Sequence, residues 1–165
     1  MDWRRLVRHL ITDHHTVRRA LPRASMEAIE RAIRDEEKRH DGQLRFAVEA
    51  SLPLAELVHG VDARERAIGW FGRLRVWDTH HNAGVLIYLL LADRRVELVA
   101  DRGIHSKVGT AAWDAICGEM QQEFARGQFE RGVVIGVRAV SDLLAEHFPT
   151  SGEHRNELPD KPVVL

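Results

Sequence analysis

One cysteine, Cys117, in 165 residues excludes an internal disulfide and a cysteine-based zinc site. A reducing, cytoplasmic address is the expectation that follows. Aromatic residues make up 6% and fall mostly at positions expected in the core, which argues against a base-stacking platform. Neither sign of charge dominates: the net charge is −1, so no global basic field points to nucleic acid, and no nucleic-acid partner is expected. Long apolar runs are missing too. The longest, Val85 to Ala92, is strand-sized, where a membrane span needs about 20 residues, so no transmembrane segment is expected. His9, Asp13, His14 and His15 interrupt the N-terminal stretch, so no secretory leader is expected. There is no G-x-G-x-x-G, no phosphate-loop Gly-Lys-Ser/Thr, no G-x-S-x-G and no H-E-x-x-H.

What remains is the composition of one globular domain, 44% hydrophobic and 30% charged, large enough to bury a core. Trp3, Leu6, Val7, Leu10 and Ile11 follow the spacing of an amphipathic helix with Arg4, Arg5 and Arg8 on its other face. Residues 1–23 carry a local charge of +4, leaving −5 for the remainder. The expectation is a helix over 1–23 packed on the domain with a solvated basic face; through that face it is also where an unknown protein or membrane-associated partner would bind.

Ser25 is the expected N-cap of a helix reaching His40, stopped by Asp41-Gly42. Residues 43–50 alternate and predict a half-buried strand. Asp62 caps a helix to about Arg75, and residues 84–92 are apolar enough to be covered on both faces. Asp93-Arg94 is a tight turn, after which Val96, Leu98 and Ala100 mark a return strand. Helices follow over about 110–125 and 130–148; Gly132 and Gly136 in the latter predict close packing against the sheet. The strand–helix–strand order over 43–92 implies parallel strands. The sum is α/β: a three-layer α/β/α sandwich with a mixed, mostly central parallel sheet plus an antiparallel hairpin. Its parts are an N-terminal helix (1–23), the α/β/α domain (24–148) and an extended tail (149–165).

The hairpin carries the functional reading. It returns the chain to its start, so Asp78, His80, His81 and Asn82 are expected beside Asp101, Arg102 and Gly103. Asp78, Asn82 and Asp101 can offer oxygens to Ca²⁺ or Mg²⁺. Arg102 and nearby backbone N–H groups, with Gly103, His80 and His81, can hold a phosphate or other ligand. A metal beside an anion is the equipment of metal-assisted phosphate hydrolysis. The structural alternative is that Asp78 caps a turn, Asn82 supports a tight loop and Asp101 pairs locally. Asp93 and Arg94, at the opposite end of the sheet where open α/β folds commonly bind ligands, are secondary candidates. So are Glu37 and His40, one Glu-x-x-His pair without the second copy that a di-metal site needs.

These residues also resemble a family. Glu37, Gly42 and the strand after it, Asn82-Ala-Gly84-Val-Leu-Ile, Asp93-Arg94, Arg102-Gly103-Ile104 and Phe124-Ala-Arg-Gly127-Gln-Phe129-Glu-Arg-Gly132 are similar, in order and spacing, to the TPM domain of a thylakoid lumen phosphatase and many bacterial proteins. The resemblance covers about Ser25 to Phe148. It implies an α/β/α sandwich, divalent-cation binding in loops at one end of the sheet, a link to membrane-protein quality control and, in some members, acid phosphatase activity. The chain resembles a free-standing cytosolic branch that ends in a segment like Asn156-Glu-Leu-Pro-Asp160. It departs from the pattern in two places: Ser106, Lys107, Val108 and Gly109 stand where relatives often carry an acid, and Ala83 separates Asn82 from Gly84. With a carboxylate fewer, a binding module for a divalent cation or a protein partner is the expected function, with a metal-dependent phosphatase acting on phosphomonoesters as the alternative.

Overall fold

The apolar run before Asp93 forms a strand buried on both faces, and the other elements are arranged around it. In the computed structural model, which describes residues 3–152 and 155–165, α1 (Trp3–Ile11), α2 (His14–Ala20) and α3 (Arg23–Glu36) precede strand β1 (Gln43–Glu49). Then come α4 (Leu54–Val58), α5 (Ala63–Arg73), β2 (Gly84–Leu90), β3 (Arg95–Ala100), α6 (Arg102–Val108), α7 (Thr110–Ala125), α8 (Phe129–His147) and β4 (Val163–Val164). Met1 and Asp2 of the expected first helix, and residues 153 and 154 of the expected tail, lie outside the described residues.

The sheet order is β3-β2-β1-β4. β1 and β2 run parallel from Gln43↔Gly84 to Glu49↔Leu90, β4 joins β1 in parallel at Ala47↔Val163, and β2 and β3 form the antiparallel hairpin. One face of the sheet, with Leu44, Phe46, Val48, Val85, Ile87, Leu89, Val96 and Leu98, packs against Ile29 and Ile33 of α3, Trp113, Met120 and Phe124 of α7, and Val133, Val137 and Leu144 of α8. The other face, with Ala47, Leu86, Tyr88 and Leu90, packs against Leu57 of α4, Ala63 and Ala67 of α5, and Leu158 of the tail. This is the mixed-sheet α/β/α sandwich.

Several local expectations are corrected. The 1–23 helix is two helices. Asp13 accepts a hydrogen bond from the Thr16 N–H (2.9 Å) while the Thr16 hydroxyl accepts from the Asp13 N–H, a capping box that starts α2 afresh. Helix α3 begins at Arg23, after Pro22, and Ser25 instead donates to Glu130 (2.5 Å). Strand β1 is buried along its whole length. Its polar residues face a covering layer that supplies partners: Gln43 Oε1 accepts from the Glu157 and Leu158 N–H groups (2.9 and 3.0 Å) and its amide donates to the Arg155 carbonyl. Arg45 donates to the Pro159 carbonyl. Glu49 receives Arg66, Trp70 Nε1 (3.1 Å) and the Tyr88 hydroxyl (2.6 Å). Gly132 and Gly136 pack on α7, not on the sheet. A Cβ at Gly132 would meet Phe124, and one at Gly136 would meet Met120.

Candidate functional site

The hairpin does bring its two ends together. The Asp101 N–H donates to the Gly84 carbonyl (2.8 Å), and Gly103 approaches the preceding loop so closely that a Cβ there would lie 2.4 Å from the Asn82 carbonyl oxygen and 2.8 Å from that of His81. Glycine is required by this approach. The loop itself is a tight turn. The Thr79 hydroxyl accepts from the Ala83 N–H, and Asn82 adopts a left-handed conformation (φ 50°) that asparagine tolerates better than most residues.

The side chains are arranged differently from the expectation. Asp78 pairs with Arg75 (2.6 Å) and is half exposed. The polar segment 101–105, expected as a loop, instead opens α6, and Asp101 caps it, its Oδ1 accepting from the Arg102 N–H (2.7 Å). Its other oxygen, Oδ2, is out of solvent and has no hydrogen-bond partner among the described residues. Arg102 is exposed. The His80 N–H donates to the Glu157 carboxylate (3.0 Å). The His81 ring lies edge-on to His80, with centroids 4.7 Å apart, and its Nε2 is 4.0 Å from Asp41 Oδ2, which accepts from the Ser151 N–H. Asp41, His80, His81, Ser151, Arg155 and Glu157 line an open cleft of about 380 Å³. Asp41 and Glu157 were missed by sequence reasoning. Asp41 reads as a helix stop, and Glu157 sits in a tail whose anchorage on Gln43 is long-range. The only signal was the resemblance of the Asn156 to Asp160 segment to the family.

The secondary candidates are engaged elsewhere. Glu37 is 2% exposed, and its Oε1 accepts from the Leu44 N–H (2.7 Å). Burial pushes its carboxyl up to about 8, the Leu44 N–H opposing the rise and neighbouring Asp160 adding to it. His40 is buried with Nδ1 3.1 Å from the Gly42 carbonyl. At the far end of the sheet Arg94 takes the left-handed turn position (φ 49°). Asp93 is gripped by Arg5 (3.0 Å) and Arg8 (3.4 Å), with His9 Nε2 3.2 Å away in a contact bent from ideal hydrogen-bond geometry. Burial raises the Asp93 carboxyl, but His9 and Arg5 outweigh it and hold it below the usual carboxylate range.

A mixed sheet between helical layers, with its loops gathered into a polar edge at the amino ends of β1 and β2, defines an open α/β sandwich. The sequence matches the TPM domain over residues 17–143, and the chain belongs to that family. It is similar in structure to the BA42 protein of the psychrophilic bacterium Bizionia argentinensis, solved by NMR, with a TM-score of 0.78 and 30% identity over 88% of this chain and 95% of that one. The comparison with curated proteins gives no match. Among the described residues no helix is long and apolar enough to cross a membrane.

Proposed function

We propose that this edge of the sheet binds a divalent cation, with Asp101 as its carboxylate and the Asn82 loop as a source of neutral oxygens. Asp101 Oδ2 carries the reading. A carboxylate oxygen removed from solvent and from every donor among the described residues calls for a proton, a water or a cation. The carbonyl oxygens of His81 and Asn82 are pressed against Gly103, two residues beyond it, and the Asn82 side chain is exposed on the same loop. All-oxygen ligands of this kind suit hard cations, Ca²⁺ or Mg²⁺. Among the described residues no three His, Cys, Asp or Glu side chains converge as metal ligands, so the cation would keep several waters and bind weakly, on the order of 10⁻⁴ to 10⁻³ M. Asp78 would join it only by leaving Arg75.

Binding without turnover is favoured over phosphomonoester hydrolysis. A bound cation could polarise a phosphoryl oxygen, with Arg102 near to hold it, but no hydroxyl or thiol among the described residues of this edge is hydrogen-bonded to a base. The test is thermal unfolding with Ca²⁺, Mg²⁺ and Mn²⁺ for the wild type and Asp101→Asn, which keeps an oxygen for the Arg102 N–H. A cation at ten times its Kd stabilises the wild type by about 1.4 kcal/mol, and the shift is lost in the variant. An equal shift in Asp101→Asn would remove Asp101 from the site. Cation-dependent hydrolysis of a phosphomonoester, abolished by Asp101→Asn, would favour the enzyme instead.

A further inference from the structure

Helix α1 lies on the fold the other way round from what its apolar pattern implies. Its inward side is mostly polar, with Leu6 the one apolar side chain packed against the core. His9 is buried, with Nδ1 accepting from the Leu52 N–H (3.0 Å), and Arg5 reaches both Asp93 and the Val61 carbonyl (3.2 Å). The apolar residues face out: Trp3, Leu10 and Ile11 are 69%, 64% and 71% exposed, and Val7 is half-buried. At about 100° per residue these four form one stripe, and Arg4 and Arg8, both exposed, lie along its flank. Leu52 and Val61, whose backbone groups bond α1, flank α4, and Asp93 just beyond β2 holds Arg5, so α1 and α4 both lie at the carboxyl ends of β1 and β2. The outer face of α4 adds Leu54 and Val58, more than half exposed and one helical turn apart.

We infer that the joint outer face of α1 and α4 docks on an anionic lipid bilayer. A tryptophan and aliphatic side chains flanked by arginines on a short helix are the parts of an interfacial helix: the apolar face enters the headgroup boundary, and the guanidinium groups meet lipid phosphates. The charge distribution matches, since residues 1–23 hold +4 against −5 for the rest of the chain, with Arg18 and Arg19 of α2 also exposed. A second copy fits poorly. An isologous contact would set arginines against arginines, and a stable dimer needs about 800 Å² per partner, more than a few side chains of two short helices provide. This surface is at the opposite end of the sheet from Asp101 and is independent of the cation reading.

The experiment is co-sedimentation of the full chain with phosphatidylcholine vesicles with and without phosphatidylglycerol, alongside a Leu10→Ser/Ile11→Ser variant and Trp3→Ser. The altered residues are exposed, and unchanged thermal unfolding confirms that the variants fold. The wild type binds only the phosphatidylglycerol vesicles, raised salt releases it, and the double variant binds at least about tenfold more weakly. Failure of the wild type to bind phosphatidylglycerol vesicles, or undiminished binding by the double variant, overturns the inference. So does a concentration-dependent dimer abolished by the same substitutions, which would assign the face to a second copy.

Discussion

Glu37→Gln is expected to remove most of the pH dependence of stability between pH 5 and 8. Glu37 is buried under α3 with Oε1 on the Leu44 N–H, beside Asp160, which also accepts from Asn156 (2.8 Å) and lies 3.4 Å from Arg34. Burial lifts its carboxyl from the ordinary 4.5 to about 8. Between those two values the folded chain keeps a proton that the unfolded chain has released. The stabilisation is therefore fully present below pH 4.5 and is lost as pH rises through 8. One proton is worth about 1.36 kcal/mol per pH unit, at most about 5 kcal/mol over the window. Glutamine keeps an oxygen for the Leu44 N–H and an N–H for Asp160, but it cannot ionise. Urea unfolding at unit steps from pH 5 to 9 measures the difference. The wild type loses stability more steeply than Glu37→Gln by about 1.4 kcal/mol per pH unit up to pH 8, and the two profiles run parallel above it. Parallel profiles throughout would refute the reasoning and place Glu37 as a carboxylate at neutral pH.

Other substitutions test the contacts that hold the edges together. Gln43→Ala removes the side chain that binds the backbone of residues 155, 157 and 158. It is expected to cost about 2–3 kcal/mol in urea unfolding and to open the tail to limited proteolysis. Gly103→Ala drives a methyl into the Asn82 carbonyl, a backbone atom that cannot swing aside; the expected cost is about 1–3 kcal/mol, read by calorimetry, together with a weaker response to cations. His9→Ala leaves the Leu52 N–H without its acceptor. A loss of about 1–3 kcal/mol and faster hydrogen exchange at Leu52 are expected, and an unchanged exchange rate would mean that α1 is not docked through His9.

The parts of the fold legible in the sequence are those written in local signals. The continuous apolar run before Asp93 marks the central strand, Asp62 marks the start of α5, and the crossover order marks the parallel pair. What was misread depends on partners distant in the chain. The polar alternation of Gln43, Arg45 and Glu49 looks like a solvent face until the tail and α5 cover it. The two residues of β4 carry no strand signal of their own. Helix α6, with Gly103 and β-branched Ile104 and Val108 in seven residues, has no helical stripe to find. The stripe of α1 was visible, but its direction was set by Asp93, which attracts the helix's polar side. The break in the first helix was available in the Asp13–Thr16 capping pair. Of the candidate site, the approach of the 80–82 loop to Asp101 and Gly103 follows from the hairpin alone; the contributions of Asp41 and Glu157 required the folded tail.

The most direct measurement for the cation site is a calcium titration followed by ¹H–¹⁵N NMR of the full chain. Binding at the proposed corner predicts that the amides of 80–84 and 101–105 shift together on one saturable curve, and that Asp101→Asn abolishes the shifts. Small, non-saturating shifts scattered over exposed acids, or a response confined to the Asp93 end of the sheet, would contradict it.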